Sequence, residues 1–219
     1  MSLQVVSSAP VLRVRGLDFG FSGHCLFQNW NADFPTGLTL VEGGDGAGKT
    51  TLLRVLAGDC VPQAGMVTLL GIDSARQAVE YRTQVFWRDP RAPWGESFTA
   101  QAWVDEVAPR YPSWSGQDWQ GHVDGFGLAA HLHKPMYQLS TGTQRKVQLA
   151  AALSSGAAMT LLDEPLAALD KPSIGHLLQA LTAEATHPRG PGRAVIVAHF
   201  DALPAVPWHH RISLQSRDT

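Results

Sequence analysis

Several scarcities in this chain each exclude a class of function. Only two cysteines, Cys25 and Cys60, occur among 219 residues. They lack metal-ligand spacing, so neither a disulfide scaffold nor a zinc module is expected, and a pair of lone thiols fits a reducing compartment. No window approaches the roughly 20 apolar residues that a membrane helix needs. The opening stretch Met1–Pro10 has no basic start and no long apolar centre, so no signal peptide is expected. Charge of one sign is missing too. The net charge is −2, with 16% charged residues, and gives no electrostatic argument for nucleic acid as a partner. What remains is a 44% hydrophobic chain, enough for a sizeable core.

Against that background one segment stands out. Gly43-Gly44-Asp45-Gly46-Ala47-Gly48-Lys49-Thr50 matches the spacing of a phosphate-binding loop: two glycines with four residues between them, then Lys and Ser/Thr. An apolar run, Leu38-Thr39-Leu40-Val41, precedes it and reads as a buried strand. The run from Thr51 to Ala57 reads as a helix. Strand, glycine-rich turn and helix together aim backbone N–H groups and a helix N-terminus at one point, where an anion is favoured. Gly43, Gly44, Gly46 and Gly48 let the backbone close around phosphates, with Asp45, Ala47 and Thr51 completing the cradle. Lys49 is expected to reach the β- and γ-phosphates, and the Thr50 hydroxyl to ligate Mg²⁺.

Further along, Leu161-Leu162-Asp163-Glu164-Pro165 ends an apolar run with two carboxylates. A parallel strand delivers its C-terminal end to the ligand crevice. There Asp163 suits Mg²⁺, and Glu164 suits a general base polarising a water toward the γ-phosphate. The stretch Leu139-Ser140-Thr141-Gly142-Thr143-Gln144-Arg145-Lys146 reads as a second helix start presenting Ser140 and Gly142, hence a second anion-binding surface. Arg145 and Lys146 read as its solvated face. Residues 11–41 alternate as short, largely antiparallel strands, and helical spacing takes over from about 89 to 154. Ser115 with Asp118, and Ser140, read as helix caps. Gly65–Gly71, Gln84–Trp87, Met159–Leu162, Arg193–Ala198 and Arg211–Leu214 read as strands, Ile174–Ala185 as a crossover helix, and Thr186–Gly192 as an irregular connector. The tryptophans of the helical segment (Trp94, Trp103, Trp114, Trp119) read mostly as packing, with room for an apolar patch among them. His122, His131 and His133 are not spaced as metal ligands.

Leu139–Ala150 resembles the signature motif of ATP-binding cassette (ABC) proteins, and other family marks follow in order. Leu166-Ala167-Ala168-Leu169-Asp170 matches the D-loop. His199, after the strand Val195–Ala198, matches the switch histidine that contacts the γ-phosphate. Phe21 falls where an aromatic stacks on adenine, with Phe19 as its competitor. The resemblance covers about residues 11–214 and is also similar, more weakly, to the small ATPases of haem-export systems for cytochrome maturation. It implies an α/β fold: a P-loop NTPase core with a mainly parallel sheet, an N-terminal antiparallel β subdomain and an inserted α-helical subdomain. As one domain over 1–219, the core and antiparallel part take about 11–88 and 155–214, and the helical part about 89–154. The resemblance further implies an ATP hydrolase using ATP and Mg²⁺, with Lys49, Glu164 and His199 as catalytic groups. Two cassettes, identical or paired, would sandwich nucleotide between the phosphate loop of one and Ser140 and Gly142 of the other. They would drive a transmembrane permease on a separate chain at the cytoplasmic face of the membrane.

Three positions depart from the family pattern. Asp45 stands where Asn is usual, Thr143 where Gln ends the signature, and Arg88 where the Q-loop carries Gln. Arg has donors only and cannot ligate Mg²⁺; it is left to bind phosphate or to face a partner. Other classes remain: a soluble cassette acting on DNA or ribosomes, a small-molecule kinase, or a cassette with little turnover. The transported substance and its direction are not legible.

Overall fold

The computed structural model describes residues 10–21, 24–95, 98–187 and 192–215. The opening segment 1–9 and residues 188–191 of the connector lie outside the described residues. Two sheets organise the chain. Strands β1 (Leu12–Phe21), β2 (His24–Phe34), β4 (Ala64–Leu69) and β5 (Ile72–Asp73) form an antiparallel sheet in the order β2-β1-β4-β5. Strands β3 (Gly37–Glu42), β6 (Val85–Phe86), β7 (Met159–Asp163), β8 (Ala194–His199) and β9 (His210–Ser213) form a wholly parallel one, ordered β6-β7-β8-β3-β9.

The segment 11–41 is therefore two long antiparallel strands and one parallel strand, not a run of short ones. The reason lies at Gly16. Leu12 and Val14 face inward, and strict alternation would then turn Leu17 outward. Gly16 adopts φ 59°, and the register slips between Val14 and Leu17, so both residues stay buried within one continuous strand.

The parallel strands are buried on both faces, as their near-continuous apolar sequences require. Successive residues of β8 divide between two cores. Ile196 and Ala198 pack with the antiparallel sheet and helix α1 (Lys49–Leu56), whereas Val195 and Val197 pack with the helical side. Helix α2 (Ala78–Thr83) joins the antiparallel sheet to β6. The helical side comprises α3 (Ala100–Val107), α4 (Gly116–Gly125), α5 (Thr141–Ser154) and α6 (Lys171–Thr186). Each of these four begins on a side-chain cap: Thr99, Ser115, Ser140 and Asp170 accept a backbone N–H three residues on. Val104 and Val107 of α3 are buried, with Trp103 packed against the same core. Among the described residues no helix is long and apolar enough to cross a membrane.

The register fixes what meets at one edge. Glu42 pairs with His199, and Asp163 with Ala198, so the C-terminal ends of β3, β7 and β8 open onto the same crevice.

Candidate active site

The loop leaving β3 packs too closely for most side chains. A Cβ at Gly43 would lie 2.7 Å from the Leu214 carbonyl, and Gly48 holds φ 87°, in the left-handed region that favours glycine. Gly48 is also the N-cap of α1 and offers no side chain to its first turn. The N–H groups of that turn have no partner within the helix and face the loop's own hollow. This hollow, about 400 Å³, is lined by Phe21, residues 44–51, Arg91 and Glu164. Asp45 stands exposed at its rim.

Lys49 is buried, and its Nζ donates to the carbonyls of Gly43 (2.7 Å) and Gly44 (3.1 Å) while lying 3.3 Å from Glu164 Oε1. His199, also buried, brings Nε2 to 3.6 Å from Glu164 Oε2. Its Nδ1 lies 3.0 Å from the Asp201 nitrogen and 3.1 Å from the Asp201 carbonyl oxygen; in the tautomer that accepts the Asp201 N–H, the ring hydrogen sits on Nε2, on the Glu164 side. Thr50 Oγ1 donates to Asp163 Oδ2 at 2.8 Å. The other carboxylate oxygen, Asp163 Oδ1, is buried without a hydrogen-bond partner, and burial pushes this carboxyl above its ordinary value against the pull of Thr50 and Arg145. An orphaned hard oxygen beside a hydroxyl fits Mg²⁺, whose remaining ligands come from phosphate and water. Among the described residues no group of three or more His, Cys, Asp or Glu side chains is placed to hold a metal ion.

The structure separates the two phenylalanines. Phe19 is buried and meets Phe21 edge to face at 5.6 Å, whereas Phe21 is 60% exposed on the rim of the hollow. Ser140 and Gly142 do not join this cluster. They lie at the start of α5, with Ser140 exposed and Gly142 half-buried. The Ser140 hydroxyl accepts the Thr143 N–H (3.1 Å) and meets Thr143 Oγ1 at 2.9 Å, giving Thr143 a place in the cap. A Cβ on Gly142 would lie 2.5 Å from the Ala168 carbonyl, so glycine is required there by the D-loop segment.

Two expectations change. Arg88 turns back onto its own loop: its guanidinium stacks 3.5 Å over Trp94 and donates to the carbonyls of Asp89, Ala92 and Pro93. Arg91, three residues later, lines the hollow together with Lys49. Nor is Arg145 solvated. It is 8% exposed, and its Nη2 donates to the carbonyls of Asp163 and Glu164. Lys146 is half-buried and pairs with the exposed Asp170 at 2.6 Å. Nothing local in the sequence marks this burial. Arg145 and Gln148 stand three apart on α5, hence on one face, and both are buried against the loops around the site.

The family model for ABC transporter matches residues 27–167, more than half of the chain. The chain belongs to the ABC transporter family. This cassette is 32% identical over 207 residues to the cytochrome c biogenesis ATP-binding export protein CcmA of Pseudomonas savastanoi pv. phaseolicola, covering 92% of the chain and 94% of that protein. It is 32% identical over 161 residues to the taurine import ATP-binding protein TauB of Yersinia pestis bv. Antiqua, covering 73% of the chain and 63% of that protein. Among solved structures, an ATP-binding subunit of an ABC transporter superposes with TM-score 0.77 at 20% identity, covering 89% of this chain and 81% of the other. A dimeric bacterial ABC transporter cassette does so with TM-score 0.73 at 19% identity, covering 93% and 94%. These two establish the fold, which is the α/β cassette that the motifs implied.

Proposed function

We propose that this cassette hydrolyses ATP as the nucleotide-binding subunit of an ABC transporter, pairing with a second cassette and driving a permease carried on a separate chain. The observation that carries the reading is the line Lys49–Glu164–His199, linked by contacts of 3.3 and 3.6 Å, standing beside the Thr50–Asp163 pair at the mouth of the phosphate loop. Lys49 and the uncapped first turn of α1 hold the β- and γ-phosphates, and Phe21 on the rim gives adenine an aromatic face. Thr50 and Asp163 would hold Mg²⁺, which neutralises charge on the phosphates when bound. Glu164 accepts a proton from the attacking water, and His199 orients it and donates toward the γ-phosphate.

Gly43 through Thr51 act on the nucleotide of the same copy; exposed Ser140 and half-buried Gly142 act on that of the second. The kinship to CcmA supports an export-type cassette at the cytoplasmic face of the cell membrane, and the match to TauB shows why kinship alone does not set direction. We also take 1–219 as a single cassette domain, with about 89–154 as its helical subdomain. A low-turnover cassette is the second reading, favoured by Arg88 being held within its own loop where the family has a magnesium-ligating Gln.

Measuring ATP turnover in the wild type and Glu164→Gln separates the two. Hydrolysis that falls by about a hundredfold or more in the variant, with an ATP-bound dimer accumulating in size-exclusion chromatography, supports the first. A wild-type rate no higher than that of Glu164→Gln rejects it.

A further inference from the structure

Glu164 has an uncommon backbone. Its φ is +41°, in the left-handed region, and it is neither glycine nor a residue that visits that region readily. Such a conformation persists where its surroundings over-determine it. On one side the Glu164 N–H donates to the Ala198 carbonyl at 2.8 Å, extending the β7–β8 ladder. On the other, the carbonyls of Asp163 and Glu164 both converge on Arg145 Nη2, the Glu164 bond being 2.8 Å. Two consecutive carbonyls reach one nitrogen only if the chain turns between them.

Arg145 itself is unusual. It is a guanidinium 8% exposed, with no ion pair to a side chain among the described residues and with Nε lacking a hydrogen-bond partner. Burial pulls it below its ordinary value, opposed by the charges of Asp163, Glu164 and Asp89. A group so costly to bury is explained by what it holds. One turn on, Gln148 donates to the Arg88 carbonyl, so the same face of α5 grips the loop that lines the hollow from the other side. At its start this helix carries exposed Ser140.

We propose that Arg145 is a positioning residue: it fixes the left-handed turn at Glu164 and so ties the direction of that carboxylate to the placement of α5. The inference rests on the reading of Glu164 as the base of ATP hydrolysis. Its consequence is that any shift of α5 on engaging a second cassette re-aims the base in its own copy. The helix is thus a mechanical link between the two pockets.

The test compares Arg145→Met and Arg145→Lys with the wild type, reading kcat and the dissociation constant of ATP separately. Misplacing the base without touching the phosphate loop is expected to lower kcat about a hundredfold in Arg145→Met, less in Arg145→Lys, with ATP affinity within about threefold of wild type. Should Arg145→Met fail to fold, Arg145→Lys carries the same expectation with a smaller fall. In a Glu164→Gln background, Arg145→Lys is expected to leave the ATP-bound dimer as abundant as in the single variant, because its effect passes through Glu164. A folded Arg145 variant that hydrolyses at the wild-type rate overturns the proposal. So does one whose ATP affinity falls in step with kcat, or one that abolishes the dimer in the Glu164→Gln background. A wild type that binds ATP without turnover instead removes the hydrolytic reading, and this inference with it.

Discussion

The two helix starts that the proposed function assigns to nucleotide are built in opposite ways. Helix α1 begins on Gly48, which has no side chain and sits at φ 87°; its first turn is left open. Helix α5 begins on Ser140, whose hydroxyl already accepts the Thr143 N–H at 3.1 Å. The first start leaves its amides to ligand or solvent, within a hollow lined by its own loop. The second is satisfied within the chain and stands in solvent. An open start suits tight binding by one chain alone. A capped start costs nothing to leave unbound, and suits a contact made and broken as two copies meet.

The sharpest way to break this difference is Gly48→Ala. A Cβ there meets Phe27 at 3.3 Å, and the left-handed conformation costs an L-residue about 1–2 kcal/mol. Relaxing it swings the first-turn amides off the phosphates, so ATP binding by titration should weaken about tenfold or more. Unchanged affinity means the open turn is not where phosphate is held.

Ser140→Ala and Ser115→Ala form a pair that isolates what the second start does beyond capping. Both serines cap a helix of the helical side, and Ser115 is not among the residues that line the hollow of the phosphate loop. Each substitution should cost about 1 kcal/mol, or about 2–4 °C in the melting temperature of a chain this long. Only Ser140→Ala should also lower steady-state turnover, by about tenfold, with ATP binding to the isolated chain intact. Equal turnover in the two variants removes Ser140 from the paired site.

The contrast between the two starts was legible in the sequence because it is local. Gly43–Thr50 and Leu139–Gly142 each sit between a strand or turn and a helix, and caps are written within four residues. What was not legible depends on how the chain folds back on itself. Arg88 finds Trp94 across a bent loop, and Arg145 reaches carbonyls eighteen and nineteen residues away. A charged residue beside Lys146 on a helix gives no sign of burial until the strand it packs against is placed. The two long strands of residues 12–34 were similarly hidden, because the slip at Gly16 interrupts the alternation that announces a strand.

The smallest effect concerns the tether between α5 and the cap of α6. Asp170 caps α6 through Ser173 and meets Lys146 at 2.6 Å. The Lys146 hydrogen bond, with those of Ser173, holds its carboxyl far below the usual carboxylate range. A carboxyl lowered on folding contributes stability that is present above its unfolded value, near about 4, and is lost as pH falls toward the folded one. Asn caps a helix about as well as Asp but carries no charge. Asp170→Asn should therefore melt slightly below the wild type at neutral pH, by an amount that stays level down to about pH 5 and shrinks through pH 4 and below. Groups elsewhere titrate in both proteins and cancel in the difference. If that difference stayed constant to pH 3, the ion pair would contribute nothing to stability.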